Sequence, residues 1–335
     1  MPILEIDTNA LRLNLDRIKS KVKVPICAVV KADAYNHGAV EVARLIWDKV
    51  DSFAVANEDE AIELYQSGIR NDILILGETF NGAKLPKNVI PSVSTYESFK
   101  QLSARTVRVQ VKINTGMNRA GCDALGLERI ISEAKYSDIE ICGAYSHFYN
   151  AERLEEAEKQ YDSFFKIISP YKKELNLLHL CASNALILEE KYRLSLVRVG
   201  IALYGHGYDG LLPVMKISAE IVWISEVKKG EHISYGDFRA NKDMRICALK
   251  IGYADGLRRT NFNAQVSIDG KKCPIVGRVC MDITVVDVSQ VNCAVGDRAY
   301  LLGETISMAD FCSYYKVIPH EALTMISKRI KRVYV

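Results

Sequence analysis

Eight short apolar runs, each followed by enough chain for a helix, constrain this sequence more than any other feature. They are PICAVV (25–30), FAVA (53–56), DILILG (72–77), VIPSV (89–93), VRVQVKI (107–113), IEICGAYS (139–146), LLHLC (177–181) and LVRVGIALYG (196–205). Between them lie segments with helical periodicity, among them EDEAIELYQSG, LERIISEAKYS and AERLEEAEKQYDSFFKIISPYKKEL. Strands alternating with helices give a parallel α/β sheet, so residues 1–212 are predicted to form a (β/α)8 TIM barrel, with an open doubly wound sheet as the alternative. After about residue 212 the texture becomes β-rich, with AEIVWISEV, MRICALKIGY, AQVSIDG, CPIVGRV, ITVVDV and RAYLLG separated by KKGE, DG and VGD turns. Residues 213–335 are therefore expected to form a C-terminal, predominantly β domain, closed by one short helix in PHEALTMISKRIKR. No Pro-, Gly- or Ser-rich linker lies between the two parts, so they are expected to pack together rather than hang from a tether.

Charge and composition exclude several functions. With 44 Lys+Arg against 41 Asp+Glu the net charge is +3, far from the basic excess that binding to nucleic acid or an anionic membrane requires. No apolar stretch approaches the roughly 20 residues of a membrane span, and the start has no basic segment leading into an apolar one, so a cytoplasmic location is expected. Nine cysteines, an odd number without a CxxC pair, argue against a disulfide framework and a zinc site. The histidines lack paired ligand spacing, and no metal is proposed.

In a barrel of this kind the reactive groups lie just after the strands. Lys31 follows the apolar run PICAVV, a position suited to a nucleophilic amine but equally open to a lysine that snorkels to water. Arg119, His147, Ser183 and Arg198 occupy comparable strand-end positions. Each alone is ordinarily a surface ion pair or a satisfied structural group; their convergence favours a site. The loops after strands seven and eight, where barrels often bind phosphate, carry Ser183 and the Gly200-Ile201 step. A lysine on the first strand facing a phosphate cradle suggests an aldehyde cofactor held as a Schiff base, the arrangement pyridoxal phosphate needs.

The motifs AVVKADAYNHG, KINTGMNRAG, AYSHF, VRVGIALYG, ISYG, GYADG and GRVCMD, in that order along nearly the whole chain, resemble alanine racemase, a fold-type III pyridoxal phosphate enzyme. The resemblance implies that Lys31 holds the cofactor as an internal aldimine, that Tyr35, Ser183, Gly200, Ile201 and Tyr253 bind its phosphate, and that Arg198 faces the pyridine nitrogen. Because guanidinium offers only donors, that nitrogen would stay unprotonated. Racemisation needs an acid/base group on each face of Cα; the resemblance assigns these to Lys31 and Tyr235. A free tyrosine has a pKa of about 10, and His147 is the candidate neighbour for lowering it. Tyr235 would enter a neighbouring subunit's barrel together with Cys280, Met281 and Asp282, giving a homodimer with composite sites. Arg119 and the Met281 N–H would hold the carboxylate of a small amino acid substrate, while His179 would orient Arg198.

The implied reaction interconverts L- and D-alanine by two-base proton transfer, supplying D-alanine for peptidoglycan; a serine or broad-specificity racemase of the same family is the alternative. Tyr253 favours alanine, because serine-preferring relatives tend to carry a smaller polar residue there. Lys112 matches a lysine that is carbamylated in some relatives. The sequence departs from the family pattern at Asn114, where Asp is usual, at Ala182, where Asn is common, and in the ending RIKRVYV. Taken alone, Tyr235 reads as a core or turn tyrosine, Met281 as core filling and GYADG as an Asp-Gly turn. A pyridoxal phosphate-binding homeostasis protein would lack residues 213–335, a fold-type III decarboxylase would carry a glycine-rich phosphate segment absent here, and a non-catalytic sensor would not need Tyr235.

Overall fold

The structure, a computed structural model, describes residues 1–79, 85–102, 107–260 and 263–335. It divides into two compact units: Leu11–Ala34 with Gly38–Leu212, and Met1–Ala10 with Tyr35–His37 and Pro213–Val335. The first strand, β1 (Ile3–Ile6), pairs with the strands Met215–Val227 and Lys331–Tyr334 and so belongs to the second unit. Residues 1–10 were expected with the barrel. The alternation of half-buried and buried residues in ILEI suits one face of a mixed sheet, whereas the barrel strand β2 (Ile26–Val29) is buried throughout.

The first unit is the barrel. After β2 come β3 (Ser52–Val55), β4 (Asp72–Glu78), β5 (Val89–Val93), β6 (Val107–Lys112), β7 (Ile139–Tyr145), β8 (Leu177–His179) and β9 (Val197–Val199). All neighbours are parallel and adjacent in sequence, and β9 returns to pair with β2. A bridge between Ala182 and Arg198 brings the β8 end to β9, so the sheet curls into a nearly closed barrel rather than a doubly wound sheet. The helices bury one face: Ala39–Ile46 turns Ala39, Val42, Ala43 and Ile46 inward, the spacing expected of an amphipathic helix. Pro91 cannot donate to the ladder, and the β4–β5 register shifts between Ile75 and Glu78; Ser92 Oγ donates instead to the Ile75 carbonyl. Among the lining residues of a cavity of about 200 Å³ within this unit are Cys27, Asp72, Arg108, Gln110 and Cys142, from the amino-terminal parts of the strands.

The second unit is built on the long strand β10 (Met215–Val227), which pairs with β1 and β15 (Arg298–Leu302) and, beyond them, with β11 (Met244–Leu249). A hairpin of β12 (Gln265–Ile268) and β13 (Lys271–Pro274) joins β15, and β14 (Thr284–Asp287) joins β11. The expected closing helix is shorter than its sequence suggested. Pro319–Thr324 stops after six residues, and the chain returns as β16 (Lys331–Tyr334), parallel to β1, because β1 offers an unpaired edge. A second helix, Met308–Tyr315, precedes it, started by a reciprocal Ser307–Asp310 cap.

Candidate active site

Lys31 sits directly after β2, at the first position of a helical turn, Lys31–Asn36, that winds the wrong way. Ala32, Asp33, Ala34, Tyr35 and Asn36 all have φ between 52° and 66°. For L-residues the left-handed helix costs about 1–2 kcal/mol each, so something must hold this turn. The Glu60 carboxylate accepts from Ala32 N at 2.8 Å and from Ala56 N at 2.7 Å, tying the ends of β2 and β3 together, and Asp33 accepts from Ala39 N at 2.9 Å. Burial, the Arg119 guanidinium and Arg198 push the Lys31 amine below its usual range against an opposing pull from Glu60. Tyr35 is buried, which pushes its phenol up to about 12; it groups with the second unit.

Arg198 lies within β9 itself, only 3% exposed, with no carboxylate in ion-pair range among the described residues. Its Nη1 meets His179 Nδ1, and its Nη2 donates to the Ser146 carbonyl at 2.7 Å and the Leu180 carbonyl at 3.1 Å, with His147 Nδ1 at 3.2 Å. That occupies both terminal nitrogens; the Nε–H has no acceptor among the described residues. Tyr145 forms a platform beneath: its ring stacks on His179 at 4.9 Å, the Arg198 guanidinium lies 5.1 Å from its centroid and the Lys112 amine 5.9 Å. His147 is held in place through its carbonyl, which accepts from Gln160 Nε2 at 3.0 Å; that buried amide also bonds Thr115.

Cations dominate the charges around the two histidines. Burial, then Arg198 and Arg119, pushes His147 down to about 3, and burial with Arg198 lowers His179 well below its ordinary value. Both imidazoles are therefore neutral. Burial and the cations around it keep His147 from carrying charge. Lys112 is pushed down to about 8 by burial, Arg119 and Arg198, opposed by Glu78. Both Glu78 carboxylate oxygens are buried without a hydrogen-bond partner among the described residues. Arg119 is exposed and makes no ion pair among them. Asn114 stands at the base of its loop, where its Oδ1 accepts from Gly116 N and Asn118 N, both at 3.1 Å; the amide shapes the turn without supplying a charge.

At the β8 and β9 ends, Ser183 Oγ accepts from Gly200 N at 2.9 Å and Ala202 N at 3.2 Å. A hydroxyl has two lone pairs and one proton, so its proton is left for an outside acceptor. The Gly200 N–H, expected to face a phosphate, donates to Ser183 Oγ. The Ile201 N–H has no acceptor among the described residues.

The remaining candidates form a cluster of their own in the second unit. Tyr253 N donates to the Cys280 carbonyl at 2.9 Å and Ala254 N to the Met281 carbonyl at 3.0 Å, joining GYADG to GRVCMD. A Cβ on Gly252 would lie 2.3 Å from the Met281 oxygen, so this approach requires glycine. Asp255 Oδ2 accepts from Gly252 N, so Asp255 serves the turn as expected. ISYG joins through Ser234 Oγ, 3.3 Å from Cys280 Sγ, and a bridge between Tyr235 and Arg278. Tyr235 is 63% exposed, Met281 53% and Tyr253 38%, and the Met281 N–H has no acceptor among the described residues. Asp282 pairs with Arg329 at 2.8 Å. Sequence reading missed Glu60, Glu78, Gln110 and Gln160. Glu60 was signalled by its place three residues after the cap Asn57, and Gln110 by the polar alternation Arg108, Gln110, Lys112 in β6.

Among the described residues there is no cluster of metal-binding side chains, and no helix is long and apolar enough to cross a membrane. Two family models match, "Alanine racemase, N-terminal domain" over residues 6–207 and "Alanine racemase, C-terminal domain" over 214–334. The chain is 36% identical to an alanine racemase of Thermodesulfovibrio yellowstonii, over 99% of this chain and 97% of that one. Among solved structures, alanine racemase from Clostridium difficile superposes with a TM-score of 0.91 at 35% identity, covering 99% of this chain and 95% of that one. The Bacillus anthracis enzyme with bound L-Ala-P gives 0.92 at 29% identity, covering 99% and 94%.

Proposed function

The chain belongs to the alanine racemase family, and on that premise we propose how its residues divide the work of interconverting L- and D-alanine. The family uses pyridoxal phosphate. When bound, that cofactor supplies an electrophilic aldehyde and a conjugated ring that makes an amino acid's Cα proton acidic.

The observation that carries the assignment is Arg198: a buried guanidinium without a carboxylate, both terminal nitrogens engaged, and one N–H to spare. An isolated buried cation is costly unless its donors are met, and an electron-rich ring nitrogen is an acceptor that suits it. The other residues fit the same group. The Ser183 hydroxyl proton and the Ile201 N–H suit phosphate oxygens, with Gly200 acting through Ser183 and Tyr35 and Tyr253 as further ligands. Lys31, its amine weakened as a base by burial and Arg119, holds the cofactor and exchanges a proton at one face of Cα. Tyr235 serves the opposite face.

In this reading Arg119 holds the substrate carboxylate, with Lys112 beside it, and the Met281 N–H completes the grip. The exposed cluster of Tyr235, Tyr253 and Met281 is the half-site that one protomer of a homodimer offers to the other's barrel. The test is chiral analysis of the pyridoxal phosphate-loaded protein incubated separately with L-alanine and L-serine. D-alanine should form much faster; faster D-serine would overturn the substrate, and no D-product the reaction.

A further inference from the structure

His179 is fully buried and has one partner at each ring nitrogen: Arg198 Nη1 at Nδ1, and Gln110 Oε1 at Nε2, 2.6 Å away. A guanidinium has no acceptor atom. The Arg198 contact is a hydrogen bond only if Nδ1 carries the lone pair, which leaves the ring proton on Nε2, pointing at the Gln110 carbonyl. The ring cannot rotate away, because it lies flat on Tyr145 at an interplanar angle of 1°. We propose that Gln110 is a positioning residue: by accepting from His179 Nε2 it fixes the imidazole as the Nε2–H tautomer, whose Nδ1 lone pair then holds Arg198 with its Nε–H free.

The consequence for the cofactor rests on the assignment of Arg198 to its ring nitrogen; the tautomer itself does not. Were the proton on Nδ1, two donors would face each other and the guanidinium would have to move, taking the free Nε–H with it. The groups packed against His179 are Arg198 from β9, Tyr145 from β7 and Gln110 from β6, so Gln110 is its one amide acceptor among the described residues. Gln110 also lines the cavity of about 200 Å³, which leaves room for variants of similar length.

Two substitutions separate positioning from mere packing. Gln110→Met keeps the volume and removes the acceptor; Gln110→Glu keeps the acceptor and adds a charge that favours a doubly protonated ring. The first readout is the pair of His179 ring-nitrogen chemical shifts in cofactor-free protein labelled with ¹⁵N-histidine. The native chain should show a single Nε2–H species, the Met variant a mixture of tautomers and the Glu variant an imidazolium. In the loaded enzyme the cofactor's absorbance should shift in both variants. For Met, kcat should fall about tenfold with KM for alanine nearly unchanged, the scale of one displaced charge-assisted hydrogen bond. If the Met variant does not fold, the Glu variant carries the test. An Nδ1–H native ring, a Met variant with native shifts, or a Glu variant whose ring carries its single proton on Nδ1 overturns the proposal, and so do altered Met shifts with unaltered absorbance and kcat. Failure of the native chain to take up pyridoxal phosphate would instead sink the assignment of Arg198 to the cofactor, while the shifts still judge the tautomer.

Discussion

In the proposed division of work Lys31 and Tyr235 each serve one face of Cα, and their surroundings differ in kind. Lys31 lies among cations, and burial with Arg119 and Arg198 lowers its proton affinity within its own chain. Tyr235 stands 63% exposed. Tyr235→Phe removes one oxygen and leaves the turn intact. The expected result is a loss of about 100-fold in Cα proton exchange from one enantiomer and a much smaller loss from the other, the scale of one acid/base group. Deuterium incorporation measured separately from L- and D-alanine checks it, and equal losses would refute the assignment of Tyr235 to one face. Tyr253→Asn tests specificity: the kcat/KM ratio for serine over alanine should rise by about tenfold, the worth of a single added hydrogen bond, and an unchanged ratio would remove Tyr253 from the specificity argument. Residue types at strand ends were readable in the sequence because barrels put reactive groups there. The protonation of His147 was not, since it depends first on burial and then on Arg198 and Arg119, distant in sequence.

The left-handed turn after β2 is an element whose handedness the sequence does not announce. KADAYN has no glycine within it, and Ala and Tyr are poor residues for positive φ, so the bonds of Glu60 and Asp33, with those of the buried Asn36 amide to the Leu323 and Ile326 carbonyls, must hold it. Its handedness predicts an inverted mutational sign. In a right-handed helix Ala→Gly destabilises by about 1 kcal/mol. At Ala32, exposed and at φ 54°, glycine relieves about 1–2 kcal/mol of strain against an entropic cost of about 0.5–1 kcal/mol, so Ala32→Gly should raise the melting temperature slightly. A fall in Tm of the size seen in ordinary helices would contradict the left-handed conformation. Glu60→Ala should lower stability by about 1–3 kcal/mol, since it leaves the part-buried Ala56 N–H without its acceptor while the exposed Ala32 N–H turns to water, a loss visible in urea unfolding. Other elements were legible to the extent that they are local. The barrel strands follow one another at short intervals in the sequence, so spacing alone revealed the eight. The pairing of β1 with β10 and β16 joins residue 3 to residues 218 and 331, a choice made by sheet edges.

Over the whole molecule the same buried cations make stability depend on pH. His147 and His179 stay neutral in the folded chain, pushed down to about 3 and well below the usual range, first by burial and then by Arg198. In the unfolded chain both return to about 6.5. Below that value the unfolded state binds protons that the folded state refuses, so stability is full above about pH 6.5 and falls as pH drops toward 3. Lys112, pushed down to about 8, acts in the alkaline range: the folded state carries the cost of its charge below about 8 and is relieved of it as pH rises toward 10.5. The cleanest window is between about pH 5 and 7, above most carboxylate titrations and below that of Lys112. There His147 and His179 together should cost the cofactor-free protein about 2–4 kcal/mol on acidification. His147→Gln should remove up to half of that slope, because it takes away one of the two refused protons. Urea unfolding midpoints across this window decide the matter: a flat native profile, or an unchanged slope in His147→Gln, would mean that the imidazoles are protonated in the fold and that Arg198 is less isolated than its bonds indicate.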